Sequence, residues 1–109
     1  METNKRLMNL LGIARRAGKL DLGAEAAKQA VRRRRAKLVL LSADLSRRTG
    51  ETVRAEAENA GVPAAPLEAG MDEVEAALGK RTGVIAVNDR GFAEALRKLS
   101  ASDRGGTNL

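Results

Sequence analysis

The segment Lys37-Leu-Val-Leu-Leu-Ser42 is a continuous apolar run of strand length near the middle of the 109-residue chain. Such a run is typical of a central strand covered on both faces, because a strand with one wet face alternates apolar and polar residues. Val84–Val87 is a second run of the same kind. Helices must therefore cover both faces of the sheet that contains these strands.

Helical patterns lie upstream of the first run. Apolar residues at i, i+3, i+4 and i+7 predict a helix over residues 4–17 that Gly18 closes. After the short segment Leu20–Leu22, an alanine-rich stretch predicts a second helix that opens at Gly23 and ends near Arg34. The two helices thus precede the Lys37–Ser42 strand.

The downstream half repeats the alternation of helix and strand. Ser46 is a candidate N-cap for a third helix that stops at Gly61, and two prolines confine the segment Val62–Leu67 to a sheet edge. A fourth helix ends at Gly79, and a last helix over residues 92–99 follows an Asp89 cap. The pattern predicts an α/β fold, a three-layer α/β/α sandwich around a small, four-stranded mixed sheet.

The length is that of one domain, which we assign to residues 1–100. Residues 101–109 are polar and lack periodicity, so we expect a disordered tail there. No apolar stretch approaches the ~18 residues of a membrane span, and the N terminus lacks the features of a signal peptide. We therefore expect a cytoplasmic protein with no membrane partner, and we expect a monomer.

The side-chain inventory argues against an enzyme. The chain has no Cys, His, Tyr or Trp, which removes the usual nucleophiles, general bases and zinc ligands. The carboxylates of Asp72, Glu73 and Glu75 lie at a predicted helix start, where they complement the helix dipole. No glycine pattern matches a nucleotide-binding loop. We expect neither a cofactor nor a bound metal.

Positive charge is concentrated in the first third of the chain. Residues 1–37 hold eleven basic and three acidic residues, a net charge of +8, whereas residues 38–109 have a net charge of −2. This asymmetry favours a polyanionic partner, because neutralised phosphates supply most non-specific affinity for nucleic acid. The run Arg32–Arg35 has two interpretations, a binding surface or a solvated helix C terminus whose cations complement the dipole.

Three segments carry a family resemblance. They are Leu10-Leu-Gly-Ile-Ala-Arg-Arg-Ala-Gly-Lys19, the stretch GAEAAKQAVRRRRAKLVLLSAD over residues 23–44, and Val87-Asn-Asp-Arg-Gly-Phe-Ala93. The chain resembles the kink-turn-binding ribosomal-protein family, the L-seven-Ae superfamily, and within it the bacterial YlxQ type. The resemblance covers nearly the whole chain and implies an α/β/α fold, a cytoplasmic location and binding of structured RNA, with ribosomal RNA and the ribosome or its assembly intermediates as partners.

The resemblance also implies where RNA binds, namely the start of the second helix, the loop at 80–83 and the nearby cations. The candidate RNA-binding residues are Arg15, Arg16, Lys19, Gly23, Ala24, Glu25, Lys28, Gln29, Arg32, Lys80, Arg81, Thr82 and Gly83. Members of the family that read kink-turns follow this glycine, after one residue, with Asn-Glu and a later Lys. Here Glu25, Ala26 and Gln29 stand at those positions.

Two other functions stay open at this point. The protein could act in ribosome assembly mainly through protein contacts, or it could capture RNA for a separate modifying enzyme. Strong salt dependence of RNA binding would distinguish RNA recognition from the first of these.

Overall fold

The computed structural model describes residues 2–105, with side chains for residues 4–100. Five helices and four strands alternate along this part of the chain. They are α1 (Glu2–Arg16), β1 (Leu20–Leu22), α2 (Ala24–Arg32), β2 (Leu38–Leu41), α3 (Arg47–Asn59), β3 (Ala64–Pro66), α4 (Met71–Leu78), β4 (Val84–Val87) and α5 (Arg90–Gly105).

The four strands form one mixed sheet in the order β1-β4-β2-β3. The two apolar runs are its central neighbours, with Leu38 opposite Val87 in an antiparallel pair, while β1 pairs antiparallel with β4 and β3 pairs parallel with β2. The predicted four-stranded mixed sheet is confirmed. Pro66 lies on the edge strand β3, where the missing N–H removes no ladder bond toward a further strand.

Both faces of the sheet are buried, as the continuous apolar runs predicted. The side chains of Leu38 and Leu40 pack with α1, α4 and α5, whereas those of Val39 and Leu41 pack with α2 and α3. All four are at most 4% exposed. Successive side chains of each strand therefore point into two separate hydrophobic cores, one on each face of the sheet, and this gives the three-layer sandwich.

The ends of the elements differ from the sequence prediction by a few residues, except at the last helix. The Asp89 carboxylate accepts a hydrogen bond from the Phe92 N–H at 2.9 Å, the cap that the sequence predicted. Helix α5 then continues to Gly105, into the segment that the sequence predicted as a tail, and residues 106–109 lie outside the described part. Within residues 2–105 no helix has the length and apolarity to cross a membrane.

Candidate nucleic-acid interface

Gly23 shapes the start of α2. Its φ is 108°, a left-handed value that L side chains rarely adopt, so glycine suits this position. No side chain caps the helix, and its first helical bond runs from Ala27 N to Gly23 O. The N–H groups of Ala24, Glu25 and Ala26 therefore have no acceptor within the helix, and together they form a positive end suited to an anion.

The three helices that follow α2 along the chain, α3, α4 and α5, carry side-chain caps at their starts. Ser46 Oγ accepts from Thr49 N at 3.2 Å on α3, Asp44 accepts from Met71 N at 3.1 Å on α4, and Asp89 caps α5. Side chains thus satisfy part of the N–H groups at these starts. Among helices α2 to α5, α2 is the one that presents its start without such a cap.

Two contacts fix the two ends of the loop at 80–83, one of them at this helix start. The N–H of Gly23 donates to Val84 O at 2.8 Å, which fixes α2 beside the end of the loop at 80–83. The Arg15 guanidinium donates to Leu78 O, the last residue of α4, from which that loop departs. We call the surface formed by the start of α2 (residues 23–25), the loop 80–83 and, at the α4 end of that loop, Arg15 and Arg16 the α2 platform.

The four loop residues have different environments. Lys80 is exposed, and no carboxylate of residues 4–100 lies within 4.0 Å of it. The exposed Arg81 donates to Asp72 and lies 3.9 Å from Glu75, so it pairs with the acidic face of α4. The hydrogen bond to Asp72 raises the pKa of Arg81, which stays charged. Lys80 is thus the more available cation.

Thr82 and Gly83 lie inside the fold. The Thr82 hydroxyl donates to Val84 O at 3.1 Å and accepts from Val84 N at 3.2 Å, and Thr82 is 7% exposed. A Cβ at Gly83 would lie 2.7 Å from Ser42 Oγ, closer than real Cβ atoms approach. These two residues hold the loop against the sheet, and the cations before them face solvent.

The cations of α2 pair within the protein. Lys28 Nζ lies 3.1 Å from Glu25, and its side chain is only 16% exposed. Arg32 bonds Glu56 of α3 at 2.8 Å, and this hydrogen bond holds the pKa of Glu56 below its usual value. Gln29 is exposed without a role in the core. The structure therefore directs Arg32 toward α3 and leaves Lys28 beside the helix start with a carboxylate partner.

Lys19 lies away from the start of α2. It precedes β1, whose Leu20 is opposite Val87, while Gly23 follows β1 beside Val84. An extended strand rises about 3.3 Å per residue, so Lys19 and Gly23 are separated by roughly 13 Å. Lys19 lines a cleft with Arg35 and Lys37 instead.

The sequence reading missed Asp44. Burial acts to raise the pKa of this carboxyl, but hydrogen bonds from Ser42 Oγ and Met71 N hold it below its usual value of 3.8. Asp44 thus stays charged and fixes the start of α4, whose far end leads into the loop at 80–83. A carboxylate two residues after a strand signals a turn, but its long-range partner appears only in the fold.

No set of three or more metal-ligating side chains comes together within the described residues. The platform offers backbone N–H groups and cations, which are phosphate-binding groups rather than catalytic ones. Its chemistry is that of a binding surface.

Comparison with known proteins agrees with this architecture. Two curated relatives are both named "RNA-binding protein YlxQ". The one from Enterococcus faecium is 34% identical over 95 residues, covering 87% of this chain and 91% of the relative, and the one from Bacillus subtilis (strain 168) is 38% identical over 95 residues, covering 83% and 90%.

Solved structures share the fold. A Bacillus halodurans C protein of unknown function superposes with a TM-score of 0.81 at 31% identity, covering 85% of this chain and 94% of that one. The Giardia lamblia 15.5kD RNA binding protein superposes with a TM-score of 0.72 at 20% identity, covering 94% and 88%, which shows the fold alone.

The resemblance inferred from the three sequence segments is confirmed by a family model. It matches residues 5–97, which include the α2 platform and every strand of the sheet. The chain belongs to the Ribosomal protein L7Ae/L30e/S12e/Gadd45 family.

Proposed function

We propose that the protein binds structured RNA at the α2 platform and catalyses no reaction on it. The observation that carries the proposal is the uncapped, glycine-initiated start of α2 beside an exposed cationic loop. Both curated relatives, which are 34% and 38% identical, are named as RNA-binding proteins, and this supports the assignment.

Phosphate contacts supply most of the affinity in this proposal. The backbone N–H groups of residues 24–26 suit a phosphate, and Arg16 and Lys80 supply positive charge around it. Aromatic stacking contributes little, because Phe92, the single aromatic residue, packs half-buried against the core. The protein thus recognises the shape and charge of folded RNA rather than unstacked bases.

Base reading at the kink-turn positions is weak in this proposal. Glu25 is exposed, but its carboxylate pairs with Lys28 and offers no donor to a base. Ala26 has no side-chain polar atom at all. Neither residue can reproduce the amide and lysine contacts implied for kink-turn readers, so the sheared G·A pairs of a kink-turn are read weakly.

We infer that the RNA is ribosomal, and that the protein acts as a cytoplasmic monomer on the ribosome or its assembly intermediates. The family's description as a ribosomal-protein family supports this finer assignment.

Crosslinking in cells followed by sequencing of the attached RNA tests the proposal. Ribosomal RNA segments should be enriched, and crosslinks should map to the α2 platform. A purified competition assay then compares a kink-turn RNA with a control that lacks the G·A pairs, and discrimination should stay below the ~1–3 kcal/mol of one good base contact. Crosslinks only to proteins would favour assembly through protein contacts and refute RNA binding as the main activity.

A further inference from the structure

A second cationic surface lies at the other end of the sheet. Two clefts of about 570 and 460 Å³ share Lys37. The Lys37 N–H donates to Val87 O at 2.7 Å, which places the clefts at the end of β4, whereas the α2 platform lies at its start. We call this surface the cationic groove. Its basic residues are Lys19, Arg34, Arg35, Lys37, Arg90 and Arg97.

The groove has more positive charge than the fold neutralises. Its six cations face two lining carboxylates, Asp21 and Glu94. Asp21 pairs with Arg35 at 2.9 Å. For the other five, Lys19, Arg34, Lys37, Arg90 and Arg97, no carboxylate of residues 4–100 comes within 4.0 Å. Five cations are therefore available to an external anion.

Arg34 occupies an unfavourable backbone conformation in the groove. Its φ is 62°, in the left-handed region, and it is the one non-glycine residue of the described part with a positive φ. Glycine or asparagine is the usual residue at this position after a helix, because a Cβ is strained there. Strain of this kind is characteristic of positions held for function. Arg34 places a guanidinium in the cationic groove. Binding of an anion there would explain an arginine at a position where glycine would fit with less strain.

The geometry of the groove fits a strand of phosphates. Arg90 and Arg97 lie seven residues apart on α5, two turns or about 10.5 Å along the helix axis, and therefore on one face. One nucleic-acid strand carries a phosphate about every 3.4 Å of duplex axis, so this spacing spans about three phosphates. The groove also lacks the large aromatic anchors typical of protein interfaces.

We infer that the cationic groove binds the phosphate backbone of a second RNA segment, so that one protein molecule holds RNA at both ends of β4. This inference goes beyond the proposed function, which concerns the α2 platform alone. Under this inference the arginines of the Arg32–Arg35 run have different roles. Arg32 ties α2 to α3, Arg35 anchors Asp21, and Arg34 is free to contact the second segment.

Binding of an RNA duplex of about 16 base pairs, the length that one double-stranded RNA-binding domain covers, tests the inference. Arg90→Ala with Arg97→Ala removes two groove cations from an exposed helix face. If each contacts one phosphate, the salt slope should fall by roughly 1.8 and duplex affinity at 0.1 M salt by roughly 60-fold. Arg34→Gly should weaken binding by roughly eightfold on the same basis, without lowering the thermal midpoint.

A bridging assay separates the two surfaces. Protein held on an immobilised RNA should capture a second, labelled duplex. Substitutions in the groove should abolish this capture. Arg16→Ala with Lys80→Ala should weaken RNA binding at the α2 platform, and the two effects on the free energy of binding should be additive. A platform variant that behaves as wild type would refute the proposed function alone.

The inference fails if the Arg90/Arg97 variant matches a control variant, Arg48→Ala with Arg54→Ala, in affinity and salt slope. It also fails if Arg34→Gly loses no affinity. Displacement of the duplex from the groove by polyglutamate at equal charge concentration would overturn it as well, because the groove would then fit an acidic polypeptide.

Discussion

Removal of two platform cations should change the salt dependence of RNA binding by a calculable amount. Arg16 and Lys80 are exposed and have no carboxylate of residues 4–100 within 4.0 Å, so each can release one counterion equivalent on binding. The slope of log K against log salt changes by about 0.9 per phosphate contact. The variant Arg16→Ala with Lys80→Ala should therefore lower the slope by roughly 1.8.

The same relation gives the loss of affinity at each salt concentration. With electrostatic effects taken as absent at 1 M, a slope change of about 1.8 corresponds to roughly 60-fold weaker binding at 0.1 M salt and roughly 9-fold at 0.3 M. At 0.1 M the difference is about 2.4 kcal/mol. Neither residue is buried, so stability should change by less than about 0.5 kcal/mol and the thermal midpoint should stay within about 2–4 °C of wild type.

Fluorescence anisotropy with a labelled ribosomal RNA fragment over this salt range measures both quantities. The matched control is Arg48→Ala with Arg54→Ala, which removes the same charge from α3. Arg54 lines a cleft with Pro66 at the β3 edge of the sheet, whereas the platform lies toward the β1 edge. An equal slope change in the control and the platform variant would refute a localised platform and leave only the net charge to explain binding.

Three further outcomes are expected. Arg81→Ala should weaken RNA binding while changing stability by less than about 1 kcal/mol in thermal unfolding, because its pair with Asp72 is exposed; unchanged affinity would remove Arg81 from the platform. Gly83→Ala should destabilise the fold by about 1–3 kcal/mol in urea, because the added Cβ would meet Ser42 Oγ, and an unchanged midpoint would contradict that clash. Burial acts to raise the pKa of Asp21, but hydrogen bonds from Arg35 and Asn88 hold that pKa below 3.8 in the folded protein. The stability that ionised Asp21 contributes to the fold should therefore be complete above pH 3.8, and it should disappear as the pH falls through the lower pKa of the folded state. The stability difference between wild type and Asp21→Asn should accordingly shrink below pH 3.8, and a difference that grows there would show the sign to be wrong.

Local patterns predicted the architecture because each has a physical cause within a few residues. The Val84–Val87 run is buried on both faces, as its uninterrupted apolar character required. Two prolines confined the Val62–Leu67 segment to an edge, and the structure places its strand there. Asp89 caps α5 through a bond to a residue only three positions away. Each of these inferences depends on near neighbours alone.

The candidate site was less predictable because its charges pair across the fold. Arg32 meets Glu56, 24 residues away, and Arg35 meets Asp21, 14 residues away. Nothing local distinguishes these two arginines from Arg33 and Arg34 between them. The placement of Lys19 likewise follows from the direction of β1, whose first residue lies at the groove end of the sheet and whose last residue leads to the start of α2.

The basic third of the chain is therefore not one binding surface. Part of its charge stabilises the layers, since Arg15 meets the last carbonyl of α4, and Arg32 and Arg35 meet carboxylates. The remaining cations separate toward opposite ends of β4, because the two termini of a strand lie at opposite ends of the sheet. Later cations, Lys80 at one end and Arg90 and Arg97 at the other, then complete each surface. The net charge of +6 is thus distributed over two positive surfaces at opposite ends of the sheet. Such an arrangement suits an RNA that contacts the protein at both ends.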